Sequence, residues 1–198
     1  MIKSSIENFQ PEQVMNSEPE AELLPSAQVL PMQCYAPLVL DVCCGTKGMW
    51  FNKHDERALY LDKRFETHTN NYPSGEKRLE IKPDIIGDFT DIKCPDNSFY
   101  IVVFDPPHIK RNSLGEITKR YGALQGNWKE MLRKGFAECF RVLKPNGTLI
   151  FKWCEVQFPI KDILALTDEK PLFGHKSGRK METHWVCFIK SDVSDNGA

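Results

Sequence analysis

Apolar residues are distributed along the chain in two alternating patterns. In the first, short and nearly continuous apolar runs close on an acidic residue and a turn. These are Pro37-Leu-Val-Leu-Asp41-Val-Cys-Cys, which enters Gly45-Thr-Lys-Gly48, then Ala58-Leu-Tyr-Leu-Asp62 and Asp84-Ile-Ile-Gly-Asp88. The fourth, Phe99-Tyr-Ile-Val-Val-Phe104-Asp105, is the richest in β-branched and aromatic residues. Runs of this length bounded by turn residues predict strands. In the second pattern, from Asn127 to Leu143, apolar or small residues fall at 128, 131, 132, 135, 136, 139, 140 and 143. That period predicts a helix with one buried face. Asn127, with Glu130 three residues on, predicts its N-cap and a capping box. Lys144-Pro145-Asn146-Gly147 stops the helix, because Pro cannot continue it and Asn-Gly favours a turn. A strand at Thr148–Trp153, a short helix near 159–166 and a last strand near 184–189 follow. The glycine-bearing stretch 109–126 has no clear period.

Continuous apolar strands alternating with helices predict a mostly parallel sheet covered on both faces. In such sheets ligands bind beyond the carboxyl ends of the strands. Asp41, Asp62, Asp88 and Asp105 all fall at or just past that edge. One aspartate there is a common turn-former, whereas four on one edge suit a cationic or polyhydroxyl ligand.

Composition narrows the class. The 198 residues are 41% hydrophobic and 27% charged, which is ordinary for a globular chain. No run reaches the ~18–20 apolar residues of a membrane helix, and the N-terminus lacks the apolar stretch of a secretory signal. A cytoplasmic location with no membrane partner is therefore expected. Residues 1–36 hold one lysine against five glutamates and read as a flexible acidic arm. Residues 37–190 form the expected domain and 191–198 a frayed tail. The body is left mildly basic, which permits a polyanionic partner without demanding one. The seven cysteines (34, 43, 44, 94, 139, 154 and 187) are irregularly spaced, with no C-x-x-C pair. They read as buried free thiols rather than as a disulfide or zinc framework. His175 and His184 are not spaced as a metal pair, and no metal is expected.

Candidate chemistry sits at two strand ends. In Asp41-Val-Cys-Cys-Gly45-Thr-Lys-Gly48, glycine allows close backbone approach to a ligand, and Asp41 can accept charge-assisted hydrogen bonds from an ammonium. Cys43 and Lys47 stand where a dinucleotide-binding turn has glycines, so a nicotinamide dehydrogenase is disfavoured. Asp62 lies 21 residues beyond Asp41, the separation at which an acid takes ribose hydroxyls in nucleotide-binding folds. In Asp105-Pro106-Pro107-His108 two prolines fix the backbone and remove two N–H donors. The resulting pocket is rich in acceptors. An amino group that donates two hydrogen bonds suits it, one to Asp105 and one to the Pro106 carbonyl, with His108 offering a flat face.

These residues resemble a class I S-adenosylmethionine-dependent methyltransferase of the small bacterial or phage type, over roughly residues 37–190. "DVCCGTKG" is similar to that family's acid-x-Gly-x-Gly-x-Gly motif at Asp41 and Gly45, and departs from it at Cys43 and Lys47. "DPPH" resembles the motif of enzymes that methylate exocyclic amino groups of nucleic-acid bases, with His108 in place of an aromatic residue. "LKPNGTLIFKW" resembles the helix-turn-strand unit of the same fold. The resemblance implies a Rossmann-like, doubly wound α/β fold, with a mostly parallel seven-stranded sheet and helices on both faces. It also implies S-adenosylmethionine as cofactor. The implied cofactor contacts are Asp41, Cys43, Gly45, Lys47 (toward the cofactor carboxylate), Asp62 (toward the ribose), and Asp88 and Phe89 (against the adenine). Asp105, Pro106, Pro107 and His108 are the implied catalytic set.

The implied substrate is an exocyclic amino group of a nucleic-acid base, with DNA favoured over RNA and adenine or cytosine as the base. Lys110, Arg111, Lys119 and Arg120, with Tyr121 and Trp128, read as a basic lid; Lys176, Arg179 and Lys180 form a second basic cluster. The chain leaves no room for a large target-recognition domain. That implies low sequence specificity, a partner subunit that supplies it, or a substrate other than DNA. Methylation of a small molecule or a protein side chain, and a non-catalytic S-adenosylmethionine-binding module, stay open as alternatives.

Overall fold

The computed structural model describes residues 37–73, 75–110, 116–178, 180 and 182–192. The acidic arm, Cys34, Arg111, Arg179 and residues 193–198 lie outside the described residues. Nine strands and three helices are present among the described residues. The strands are β1 (Val39–Asp41), β2 (Ala58–Asp62), β3 (Glu66–Tyr72), β4 (Gly75–Ile81), β5 (Ile85–Ile86), β6 (Phe99–Phe104), β7 (Leu143–Cys154), β8 (Phe173–Ser177) and β9 (Thr183–Ile189). The helices are α1 (Glu116–Tyr121), α2 (Trp128–Val142) and α3 (Ile160–Leu164).

Seven strands form one sheet in the order β5-β2-β1-β6-β7-β9-β8. The pairs from β5 to β7 are parallel, and β9 runs antiparallel to both of its neighbours. The chain winds outward from β1 through β2 to β5, then restarts at β6 on the other side of β1. This is a Rossmann-like doubly wound sheet, with its topological switch point between the carboxyl ends of β1 and β6.

Alternation along the strands divides the sheet's contacts. On one side Leu40, Leu61, Val102, Phe104, Leu149, Phe151 and Phe188 meet the apolar face of α2. The Phe136 ring lies 5.4 Å from that of Phe104 and 4.9 Å from that of Phe151. Burying each such ring stabilises the fold by roughly 1.5–3 kcal/mol. The helix comes this close because residue 135 is glycine: a Cβ there would sit 2.7 Å from the Phe89 ring and 2.8 Å from that of Phe104. As the periodicity predicts, α2 starts at the Asn127 cap, whose side chain accepts from the Glu130 N–H. The Glu130 carboxylate pairs with Arg133.

On the other side of β1 and β2, Val39, Ala58 and Tyr60 pack with Cys44 and Trp50. This cover comes from turns in the segment 42–57, which has no helical apolar period. Two elements are not evident in the sequence. β3 and β4 form a separate antiparallel hairpin between β2 and β5, where a crossover helix is the usual connection. Along β4 exposure falls toward Ile81, which is fully buried; most other positions of the hairpin are polar, so apolar alternation is nearly absent. The edge strand β8 is similarly exposed, with Phe173 and His175 outward.

Candidate functional site

A cavity of about 370 Å³ opens at the switch point, lined from the turn after β1, the end of β2, the segment after β5, the end of β6, α1 and β7. Each sequence-predicted residue can be placed against it.

The turn after β1 brings Cys43 and Gly45 to the cavity wall. Gly45 has φ +51°, a conformation side chains rarely adopt. Lys47 adopts the same left-handed region, φ 54°, without being glycine. Its ammonium lies 3.8 Å from the Tyr60 ring centroid and 3.8 Å from the Asp84 carboxylate, so it points away from this cavity. Burial pushes the Cys43 thiol far above its usual range, with Asp62 and Asp41 adding to the effect, so the thiol stays protonated.

Asp41 is 0% exposed and accepts from the Trp50 indole N–H at 2.8 Å and from the Cys43 N–H at 3.3 Å. Burial raises its pKa from 3.8 to about 7, against the lowering effect of those two bonds. Its carboxylate braces the turn and does not line the cavity.

Asp62 does line it, and its acceptor sites are full. Oδ1 accepts from the Arg64 N–H at 2.9 Å and from Arg64 Nε at 3.0 Å. Oδ2 accepts from the Gly45 N–H at 2.9 Å and from Arg64 Nη2 at 3.1 Å. Four donors match the four lone-pair sites of a carboxylate. Arg64 Nη1 also donates to the Lys119 carbonyl at 3.1 Å, tying Asp62 to α1.

Asp88 and Phe89 divide the work expected of them. Asp88 accepts from the N–H and hydroxyl of Thr90 and does not reach the cavity, whereas Phe89 lines it while packing on Phe104 at 5.3 Å. Their segment is fastened to α2 by Arg141, which donates to the Ile92 and Cys94 carbonyls at 2.7 and 2.9 Å.

At the end of β6, Asp105 and Pro107 line the cavity, Pro106 is buried, and His108 is half-buried beside it. The His108 ring lies 6.1 Å from both Tyr121 and Trp153. Burial lowers its pKa; Asp105 and a hydrogen bond with the Pro106 carbonyl act in the opposite sense, and Lys152 adds to the lowering. The ring is therefore neutral near pH 7.

The residue missed in the sequence is Lys152. β6 and β7 are in register through Phe104↔Phe151, which sets Lys152 beside Asp105. Its Nζ lies 2.5 Å from Asp105 Oδ2, with the two side chains 23% and 13% exposed. Oδ1 of Asp105 has no hydrogen-bond partner among the described residues. A readable signal existed: Leu149, Phe151 and Trp153 face the core, and the charged Lys152 between them shares a face with the strand-end acid. Arg64, which lines the cavity, and Trp50, which holds Asp41, are likewise not singled out by the sequence. Of the expected lid, Arg120 and Tyr121 line the cavity and Lys110 is exposed. Trp128 is buried in the core against Phe158, and Lys176 pairs with Glu155. No group of His, Cys, Asp and Glu suited to a metal is found among the described residues.

No family model matches the sequence, and no curated protein matches it. A solved structure shares the fold. PH0226 protein from Pyrococcus horikoshii superposes with a TM-score of 0.51 at 15% identity, over 77% of this chain and 81% of its own. A TehB-like SAM-dependent methyltransferase from Corynebacterium glutamicum gives 0.48 at 14% identity, over 77% and 79%. The N-methyltransferase NodS from Bradyrhizobium japonicum gives 0.48 at 10%, over 78% and 85%. No helix among the described residues is long and apolar enough to cross a membrane.

Proposed function

We propose that this chain is an S-adenosylmethionine-dependent methyltransferase acting on an exocyclic amino group of a nucleic-acid base. The observation that carries the reading is Asp105, at the switch-point end of β6 and on the cavity wall, with one carboxylate oxygen held by Lys152 and the other open. The cofactor fits the chemistry of the wall. The Phe89 ring suits a flat heterocycle and Arg120 a carboxylate, while Asp62 holds the Gly45 turn at the wall through the Gly45 N–H. The cavity volume is within the ~300–1,000 Å³ usual for small-ligand sites. When bound, S-adenosylmethionine supplies an electrophilic methyl group on a sulfonium.

The chain's own residues then do three things. Asp105 Oδ1 accepts a hydrogen bond from the target N–H, which localises a lone pair otherwise delocalised into the base. Lys152 fixes the orientation of that carboxylate. Pro106 and Pro107 keep competing N–H donors out of the pocket. Pre-placed polar groups of this kind contribute roughly 10²–10³ in rate each, by analogy with oxyanion-hole donors. His108, neutral and half-buried, borders the place of the base as an uncharged ring. A duplex base must leave its stack to reach this depth, at a cost of a few kcal/mol, so unpaired substrates are favoured.

The test supplies methyl-labelled S-adenosylmethionine with single-stranded DNA, duplex DNA, RNA, a protein mixture and free nucleosides. Label entering a polynucleotide with wild type and lost in Asp105→Ala is the expected result. Label entering only protein or small molecules overturns the substrate class. Cofactor binding without transfer to any acceptor overturns the catalytic reading in favour of a binding module.

A further inference from the structure

Beside the cavity lies a second concavity, of about 570 Å³, between the turn after β1, the β3–β4 hairpin and α1. The two share Gly45, Thr46, Gly48 and Arg120, so the second opens onto the first. Its walls are strongly cationic. Lys53, Lys77, Arg78, Lys82 and Arg120 project from three separate segments, with Glu80 the one carboxylate on its wall. Arg78 and Lys82 share that carboxylate at 2.9 and 3.1 Å and are 62% and 50% exposed. Lys53, Lys77 and Arg120 have no acidic partner among the described residues. On the wall of the first cavity, next to the shared Arg120, stands Tyr121, a half-exposed ring.

We propose that this groove binds the phosphate backbone of a single-stranded polynucleotide, with the hairpin as its docking element. The inference rests on the nucleic-acid reading above and supplies a contact surface for the substrate beside the cavity. Convergent cations follow a polyanionic strand, and an exposed aromatic ring at the cavity mouth suits stacking of a base. The hairpin is positioned for this by its construction. Ile81 anchors it in the core while Lys77 and Arg78 stand well outside, in register with Asn70 and Thr69. A crossover helix at this place would pack back onto the sheet and present no such wall. Phosphate contacts of this type position a substrate without reading its sequence, consistent with low sequence specificity.

The experiment measures binding of fluorescent single-stranded DNA, RNA and duplex DNA by anisotropy over a range of salt, using the full chain. Lys53→Gln/Lys77→Gln/Arg78→Gln lowers single-strand affinity on the order of tenfold at low salt. It reduces the salt slope by roughly 2, at ~0.7 per phosphate contact over three contacts. Glu80→Gln, which releases Arg78 and Lys82, raises affinity. Unchanged affinity for S-adenosylhomocysteine in both variants shows that the fold is intact. Wild-type affinity and slope in the triple variant, with wild type binding and methylating the polymer, overturn the groove and leave the substrate reading standing. Absence of polymer binding by wild type at low salt overturns both. Duplex bound more tightly than single strands overturns the single-strand assignment.

Discussion

Replacing Lys152 by methionine keeps the bulk of the side chain and removes the charge that faces Asp105. The two groups are 2.5 Å apart and only 23% and 13% exposed. Fully exposed pairs are worth about 0–1 kcal/mol, whereas removing one partner of a fully buried pair costs about 3–5 kcal/mol because the other charge is stranded. This pair lies nearer the buried limit, at roughly 2–3 kcal/mol, which lowers Tm by roughly 4–12 °C in a domain of this size. The functional loss is of a different kind. Without Lys152 the carboxylate loses its fixed orientation, and kcat falls roughly 10²-fold, the scale of one misplaced polar group. Lys152→Arg retains the charge and restores part of both quantities. The assay is thermal unfolding combined with single-turnover methyl transfer, on a double-mutant cycle with Asp105→Asn. Additivity of the two stability changes within ~0.5 kcal/mol would mean the residues do not interact, and a wild-type kcat in Lys152→Met would refute the orientation argument.

Three other substitutions probe separate parts of the account. Asp41 has a folded pKa of about 7 against 3.8 unfolded, so the folded state holds the extra proton between these values. Its contribution to stability is full below about pH 4 and is lost as pH rises to about 7. Asp55 and Glu155, held near 2, act below that window. Tm of wild type is therefore expected to fall from pH 5 to 8 more than that of Asp41→Asn, and parallel profiles would contradict the burial argument. Gly135→Ala pushes a methyl group into the Phe89 and Phe104 rings. Overpacking costs about 1–3 kcal/mol against at most ~1 kcal/mol of helix propensity gained, so Tm falls by a few degrees; a rise in Tm would show that the helix can retreat. Arg64→Met frees acceptor sites on Asp62, and S-adenosylhomocysteine measured by calorimetry should bind several-fold more tightly. Equal or weaker binding would show that Arg64 does not compete with the cofactor.

The parts of the fold legible in the sequence are those that bury apolar surface. β2, β6 and α2 were bounded to within a residue or two, because each pairs a strong apolar pattern with a clear stop such as Asp62 or Pro145. The β3–β4 hairpin and β8 were hidden because most of their positions are polar and their described side chains are mostly exposed or only part-buried, and polar alternation leaves no signature. At the site, strand-end position foretold Asp62 and Asp105 on the cavity wall. It did not foretell that Asp41 is used to hold Trp50, that Asp88 caps Thr90, or that Lys47 turns toward Tyr60 and Asp84. The Asp88–Thr90 contact is local, whereas the other two are decided by partners distant in sequence. Lys152 belongs to the same class, since its role depends on strand register across β6 and β7, which a single-strand pattern does not contain.

Product analysis identifies the atom that receives the methyl group. Polynucleotide methylated by the wild-type protein is digested to nucleosides and the labelled species identified by mass and chromatography. The open Oδ1 of Asp105, beside two prolines that bring no N–H of their own, predicts label on an exocyclic amino nitrogen of adenine or cytosine. Label on a ring carbon, a ribose hydroxyl or a phosphate oxygen would contradict the account.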